Sequence, residues 1–330
     1  MADGLYNMKR NSIYLIILTI TAVVTYGDTV ELTLHPVKAT EDAQKYRLLP
    51  DANEQTDADA VPLYEKAIQS FPEDYDTEQI DQWLKIPLDK LPHQKVQSAL
   101  RQFKTIIQLI EQASKCKQCN WPYVEEDEED ALLENLNKYR RFMFILELQA
   151  RLQIAQGQYD KALDTIQTWL AMAKHLGDSP NLIQGMVGVA MSARMLRPLE
   201  QFIQRSDAPN LYWAVQNLPK PFIDLTERTV LESPETREKI HLLMNRLDRH
   251  IAALQCIESL RLHAGAHDGK FPEELSDVTD ISIPDDPVAQ KPFVYQRTGV
   301  KAVLEAPAPK GADVKEAMRY ELNLKEEESK

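Results

Sequence analysis

The stretch LRLHAGAHDGKFPEEL places His263 and His267 four residues apart, with Asp268, Glu273 and Glu274 close behind. On a helix that spacing puts two imidazoles on one face, a workable pair of metal ligands. A third ligand is available from Asp268 or from the Asp285–Asp286 pair, so His263, His267 and Asp286 are the candidate metal residues. A hydrolytic zinc site of the HExxH kind needs a glutamate beside its first histidine as base. Here the intervening residues are Ala, Gly and Ala. The competing reading is a helix C-terminus, where histidines sit favourably against the negative end of the helix dipole. The sequence favours that structural reading and no bound metal. A carboxylate- or metal-dependent hydrolase around His263, His267 and Asp286 is the enzymatic alternative.

The cysteines offer less chemistry. Cys116 and Cys119 form a lone CxxC, and Cys256 stands apart. A c-type haem site needs His straight after the second Cys, where Asn120 stands. A zinc site needs two more ligands, and there is no second CxxC. The reading is a helix-end staple or free thiols. Six acids in a row, Glu125 to Asp130, suggest a cation site, but calcium loops alternate their ligands around a turn glycine, which is missing here. Acids suit the first turn of a helix, which exposes its positive end. No phosphate loop, dinucleotide fingerprint or activated nucleophile motif occurs, so no cofactor is expected.

These residues need elements to hold them. The 330-residue chain is 43% apolar, enough to bury a core, and its 10 glycines and wealth of Leu, Ala, Gln, Glu and Lys favour helix. A net charge of −13 without a basic stripe argues against nucleic-acid binding. At the N-terminus, Lys9 and Arg10 precede an uncharged run from Ile13 to Tyr26, then Gly27 and Asp28. This is the layout of a secretory signal over residues 1–27, cleaved after Gly27 or kept as an anchor. The chain is therefore expected outside the cytoplasm, in the periplasm or cell envelope, touching membrane only through that segment.

Residues 28–60 read as an extended and looped lead-in: TVELTL alternates like a short strand, and PDANEQTDADA is polar loop. A helical domain is expected over 61–232. In PHQKVQSALRQFKTIIQLIEQASKC, Val96, Leu100, Phe103, Ile107 and Ile110 make one helical stripe. A further helix buries Leu132, Leu136, Tyr139, Met143, Leu146, Ala150 and Ile154 on one face. The next holds Trp169 inward, and a third starts with Ser179 as cap and Pro180 in its first turn and breaks or kinks at Pro198. Residues 233–324 comprise the longest helix, capped by Ser233 and stopped by Gly265 and Gly269, and then a small antiparallel sheet. Its hairpin turns at Gly299, and AMRYELNL supplies the third strand. Asp285 is expected to bond nearby backbone N–H groups in the PDDP turn. Residues 325–330 are a charged tail. The fold class is mainly α, an antiparallel array of helical hairpins with a small C-terminal antiparallel sheet.

Three resemblances accompany these patterns. Gly157, Tyr159 and Ala162 resemble the elbow of one tetratricopeptide hairpin, where Gly ends helix A, an aromatic fills the turn and a small residue admits helix B. GKFPEELSDV followed by IPDDPVAQKPFVYQ resembles the globular half of type II secretion pseudopilins. That likeness gives Phe271 and Pro272 the role of an aromatic–proline wedge, and Phe293 and Tyr295 that of strand entry. The acidic residue and cleavage site that open a pseudopilin are absent from this place, since some 230 residues precede the helix. The whole chain is similar to a group of uncharacterised exported bacterial proteins with a signal, a Y-x-x-A opening helix, a C-(D/N)-W element, here Cys119, Asn120 and Trp121, and this C-terminal tail. These features imply an exported, non-catalytic helical scaffold that binds a protein or an envelope polymer, or else a pseudopilin-like assembly component.

Overall fold

The structure, a computed structural model, describes residues 29–72, 75, 77–122, 129–230 and 232–325. The expected signal segment, most of the acidic run, the side chain of Leu132 and the extreme C-terminus lie outside the described residues. Among the described residues there are nine α-helices: α1 (Val61–Gln69), α2 (Thr77–Lys85), α3 (His93–Arg101), α4 (Lys104–Ser114), α5 (Glu129–Ala155), α6 (Tyr159–Gly177), α7 (Leu182–Ile203), α8 (Tyr212–Gln216) and α9 (Pro234–Ala266). Six strands accompany them: β1 (Thr29–Leu34), β2 (Thr56–Asp59), β3 (Cys116–Gln118), β4 (Val294–Thr298), β5 (Lys301–Ala306) and β6 (Met318–Leu324). The protein is mainly α with a small sheet near its C-terminus. The chain forms two compact units. The described part of the first comprises residues 49–195 and 221–244, and that of the second residues 29–48, 196–220 and 245–325.

The first unit is mostly helical. α5 and α6 form a hairpin because Gly157 takes φ +68, a left-handed conformation that costs an L side chain energy. Gly157 N–H then donates to Ile154 O (3.0 Å) and Gln158 N–H to Gln153 O (2.9 Å), the paired bonds of a Schellman end. Ala162, fully buried, follows one turn into α6, and Tyr159 opens that helix partly exposed. Trp169 is 0% exposed in the middle of α6.

The orphan carbonyls at helix ends are answered by side chains reaching in from elsewhere. Arg151 of α5, fully buried, donates to Trp83 O (2.8 Å) and to Ile86 O at the end of α2. Trp121 Nε1–H donates to His175 O (2.7 Å) in the last turn of α6 and stacks on Tyr64 at 5.9 Å. Tyr64 OH in turn meets His175 Nδ1 at 2.8 Å. The Cys119–Asn120–Trp121 element is thus a lock on α6: Asn120 N–H donates to Asp59 Oδ1 (3.0 Å) beside the paired strands β2 and β3. Burial raises the thiols of Cys116 and Cys119 above their ordinary range, and both are free.

Three local expectations change here. The polar segment before residue 60 and the end of CKQ are not loop and helix end but β2 and β3, a short parallel pair. The stripe over residues 93–114 is two helices, α3 and α4, because Phe103 leaves helical geometry (φ −95, ψ 6). At that break Phe103 is fully buried against Phe71 (6.3 Å) and Tyr75 (5.5 Å). The cap of α7 is Asn181, not Ser179. Its Oδ1 accepts from Ile183 N–H (2.9 Å) and Gln184 N–H (3.3 Å), the second and third positions of that helix.

The second unit carries the sheet, ordered β1-β6-β5-β4. β4, β5 and β6 are antiparallel neighbours, and the two-residue turn holding Gly299 joins β4 to β5. β1 adds in parallel to β6, from Thr29↔Arg319 to Leu34↔Leu324, so the sheet is antiparallel except at this edge. Period-two alternation buries Leu32 and Leu34 of β1, Ala302, Leu304 and Ala306 of β5, and Met318, Tyr320, Leu322 and Leu324 of β6. α7 runs through Pro198 unbroken, its last turns held by buried Leu199, Phe202 and Ile203. α9 starts in the first unit and begins as expected, with Thr236 N–H donating to Ser233 Oγ (3.2 Å).

The end of α9 also differs from expectation. Gly265 does not stop it. The chain after β1 crosses there, with Val37 N–H donating to Arg261 O (3.1 Å), and a Cβ at Gly265 would stand 2.2 Å from Val37 O. The stop is Asp268, left-handed at φ 50, followed by Gly269, whose N–H donates back to Ala264 O (2.9 Å).

Candidate functional site

The residues selected from the sequence occupy structural positions. The rings of His263 and His267 stack face to face with centroids 3.9 Å apart, and His267 Nδ1 lies 2.8 Å from His263 O. A carbonyl only accepts, so Nδ1 carries the proton of that bond. Burial, then the neighbouring His267, lowers the pKa of His263 below the usual imidazole value. Among the described residues no three His, Cys, Asp or Glu side chains group as a ligand set.

Asp286 is committed elsewhere. It is 1% exposed, and its Oδ1 accepts from Arg249 Nε–H (3.0 Å) and Val288 N–H (2.9 Å). Arg249 Nη2 lies 2.9 Å from Oδ2, a charge contact outside hydrogen-bonding angle. Arg249 continues to Glu316 O (2.9 Å), and Arg246 pairs with the Glu316 carboxylate. The turn acid is therefore Asp286 rather than Asp285. Only Asp286 faces the buried arginine, which gives its carboxylate more than a backbone bond. Phe271 and Phe293 are buried, and Tyr295 OH donates to Pro272 O (3.0 Å), fixing the segment that leaves α9. Burial raises the Cys256 thiol to about 12, so it is a packing residue here.

A second location, in the helical unit, has binding character. Tyr139, Phe142, Met143 and Leu146 turn one face of α5 into the core. Arg140, Arg141 and Phe144 therefore lie along its margin, with Arg140 and Phe144 stacked one turn apart. Ile80, Trp83 and Leu84 bury the matching face of α2, and Tyr75 sits just before that helix. The margin of α5, the start of α2 and Tyr75 line an open pocket of about 490 Å³. Ile80, Phe144 and the Tyr75 ring give it apolar walls, and Glu78 and Asp81 line it from α2.

Its electrostatics are unusual for so acidic a chain. Arg140 lies 5.3 Å from the centre of the Phe144 ring, and Arg141 lies 5.6 Å from Tyr75 and 6.0 Å from Phe71. Behind them Arg194 sits 4.8 Å from the same Phe144 ring and is neutralised by Glu147 at 2.5 Å, a buried pair. Neither Arg140 nor Arg141 has an ion-pair partner among the described residues. Asp81 is paired with Lys85 at 2.6 Å. Burial lowers the pKa of Arg140, and the like charge of Arg194 acts in the same direction, partly offset by Asp81. Burial raises that of Tyr75, which stays a hydroxyl donor. Two buried polar atoms of this pocket, Tyr75 OH and Arg140 Nε, have no hydrogen-bond partner among the described residues. Buried donors are nearly always satisfied, by protein, water or ligand.

The residues of this pocket were not singled out in the sequence. The available signal is KYRRF, two adjacent arginines between aromatics in a chain of net charge −13. No protein-family model, curated protein or solved structure matches this chain. The tetratricopeptide and pseudopilin resemblances therefore rest on the quoted motifs alone.

Proposed function

We propose that this chain is an exported, non-catalytic helical scaffold of the bacterial cell envelope that works by binding. The observation that carries the binding role is the α2–α5 pocket, with its apolar walls and two arginines that have no ion-pair partner among the described residues. Positive charge held next to an apolar surface is the arrangement of a recognition site for an anionic partner. Export is supported by the order of Lys9–Arg10 and the apolar run Ile13–Tyr26. The hydrolase alternative at His263, His267 and Asp286 is weakened because Asp286 serves as the counter-ion of Arg249.

Two measurements on the full chain test the proposal. Charged replacements of Leu15, Ile16 and Ile17 should hold the protein in the cytoplasm on cell fractionation. The purified protein should show no ester, phosphoester or peptide hydrolysis, with or without added divalent metal, that a His263→Gln/His267→Gln variant loses. Unchanged fractionation, or an activity that depends on those histidines, overturns it.

A further inference from the structure

We infer that the pocket between α2 and α5 is a site for a small, singly charged organic carboxylate with an aromatic or branched apolar body, its carboxylate received by Arg140 and Tyr75. The inference rests on the binding role proposed above and names the class of ligand.

The first ground is the pair of orphaned donors. Tyr75 OH and Arg140 Nε are both buried, their residues line the same pocket, and neither atom has a hydrogen-bond partner among the described residues. A guanidinium can only donate, so the missing group beside it is an acceptor. The natural acceptor for a guanidinium is a planar carboxylate or a phosphate.

The second ground separates those two. A phosphate carries about 1.5 to 2 negative charges at neutral pH, and Glu78 and Asp81 line the same pocket. Their repulsion scales with ligand charge, so it weighs up to about twice as heavily on phosphate as on a monoanion. The remaining walls, Ile80, Phe144 and the Tyr75 ring, are apolar, and bare phosphate gains nothing from them. A carboxylate carrying a hydrocarbon body uses both parts of the site. The volume of about 490 Å³ suits a ligand of amino-acid to small-drug size.

The third ground is that the arginines are held in place before any ligand arrives. Arg140 rests against Phe144, and Arg141 against Tyr75 and Phe71. A pre-positioned guanidinium loses less entropy on binding.

The experiment is calorimetric titration of the purified full chain with phenylacetate, 4-methylpentanoate and N-acetylphenylalanine. 2-Phenylethanol serves as the body without charge and inorganic phosphate as the charge without body. At least one carboxylate should bind saturably at one site, tenfold or more tighter than 2-phenylethanol or phosphate. Arg140→Gln should weaken it about tenfold or more, consistent with loss of a charge-assisted bond. Tyr75→Phe should weaken it about threefold to tenfold, because one neutral donor is lost. Arg140→Lys keeps the charge, so should Arg140→Gln not fold, this variant and Tyr75→Phe carry the comparison, with the lysine intermediate in affinity. No saturable binding by any of the three carboxylates up to about 10 mM overturns the inference. So does binding that survives both Arg140→Gln and Tyr75→Phe, or phosphate binding as tightly as the best carboxylate. Those results leave the export and activity measurements to decide the broader reading independently.

Discussion

Replacing Asp286 with Ala tests whether the polar cluster after α9 is architecture or chemistry. Asp286 and Arg249 are 1% and 4% exposed, so removal of the carboxylate strands a guanidinium away from water. The lost contacts are the Arg249 Nε bond at 3.0 Å, the Nη2 charge contact at 2.9 Å and the Val288 N–H bond at 2.9 Å. Breaking a buried pair by deleting one partner costs about 3–5 kcal/mol, mainly from the uncompensated charge. Arg249 keeps its bond to Glu316 O, which places the expectation at the lower end, about 3 kcal/mol. A double change to Arg249→Met and Asp286→Leu removes both charges, and should recover most of that loss. Urea unfolding of the full chain followed by circular dichroism measures this, with transitions fitted for two units rather than one. If Asp286→Ala changed stability by less than about half a kcal/mol, the pair would not hold the structure together. If the same variant lost a bound metal, the hydrolase reading would replace the structural one.

Two further outcomes follow from the second unit. Gly265→Ala would place its Cβ 2.2 Å from Val37 O, a backbone atom that cannot rotate away, so a loss of several kcal/mol is expected despite alanine's better helix propensity; equal or higher stability in the same urea assay would show that the crossing chain yields. Glu200 accepts from Tyr320 OH at 2.8 Å, and burial raises its pKa from 4.5 to about 7, with Tyr320 and Arg197 pulling the other way. The folded state therefore holds a proton that the unfolded state releases. The stabilisation is complete below about pH 4.5 and fades as pH rises towards 7. Relative to Glu200→Gln, wild type should lose on the order of 3 kcal/mol between pH 5 and pH 8, and parallel pH–stability curves would refute the assignment.

Much of the secondary structure is legible in the sequence because periodicity reports burial directly. A step of three and four residues marks the buried face of α5 and α9, and a step of two marks β5 and β6, whatever they pack against. Local chemistry also shows: Gly157 had to end α5 because it alone takes φ +68 there without strain, and Ser233 before Pro234 starts α9. Where the signal is satisfied by more than one geometry, the sequence misleads. The stripe from Val96 to Ile110 keeps its period across the break at Phe103, and Ser179 and Asn181 are both acceptable caps.

Tertiary structure alone decided the pairings and the pocket. β1 joins β6 from the opposite end of the chain, and nothing in TVELTL names its partner, since backbone hydrogen bonds are the same for every strand. Asp286 rather than Asp285 faces Arg249 because one residue of difference along an extended chain points to the other side. The Arg140–Tyr75 pocket was invisible for a related reason. An arginine on a helix margin looks solvated in sequence, and whether its donors are answered depends on every group that folds around it.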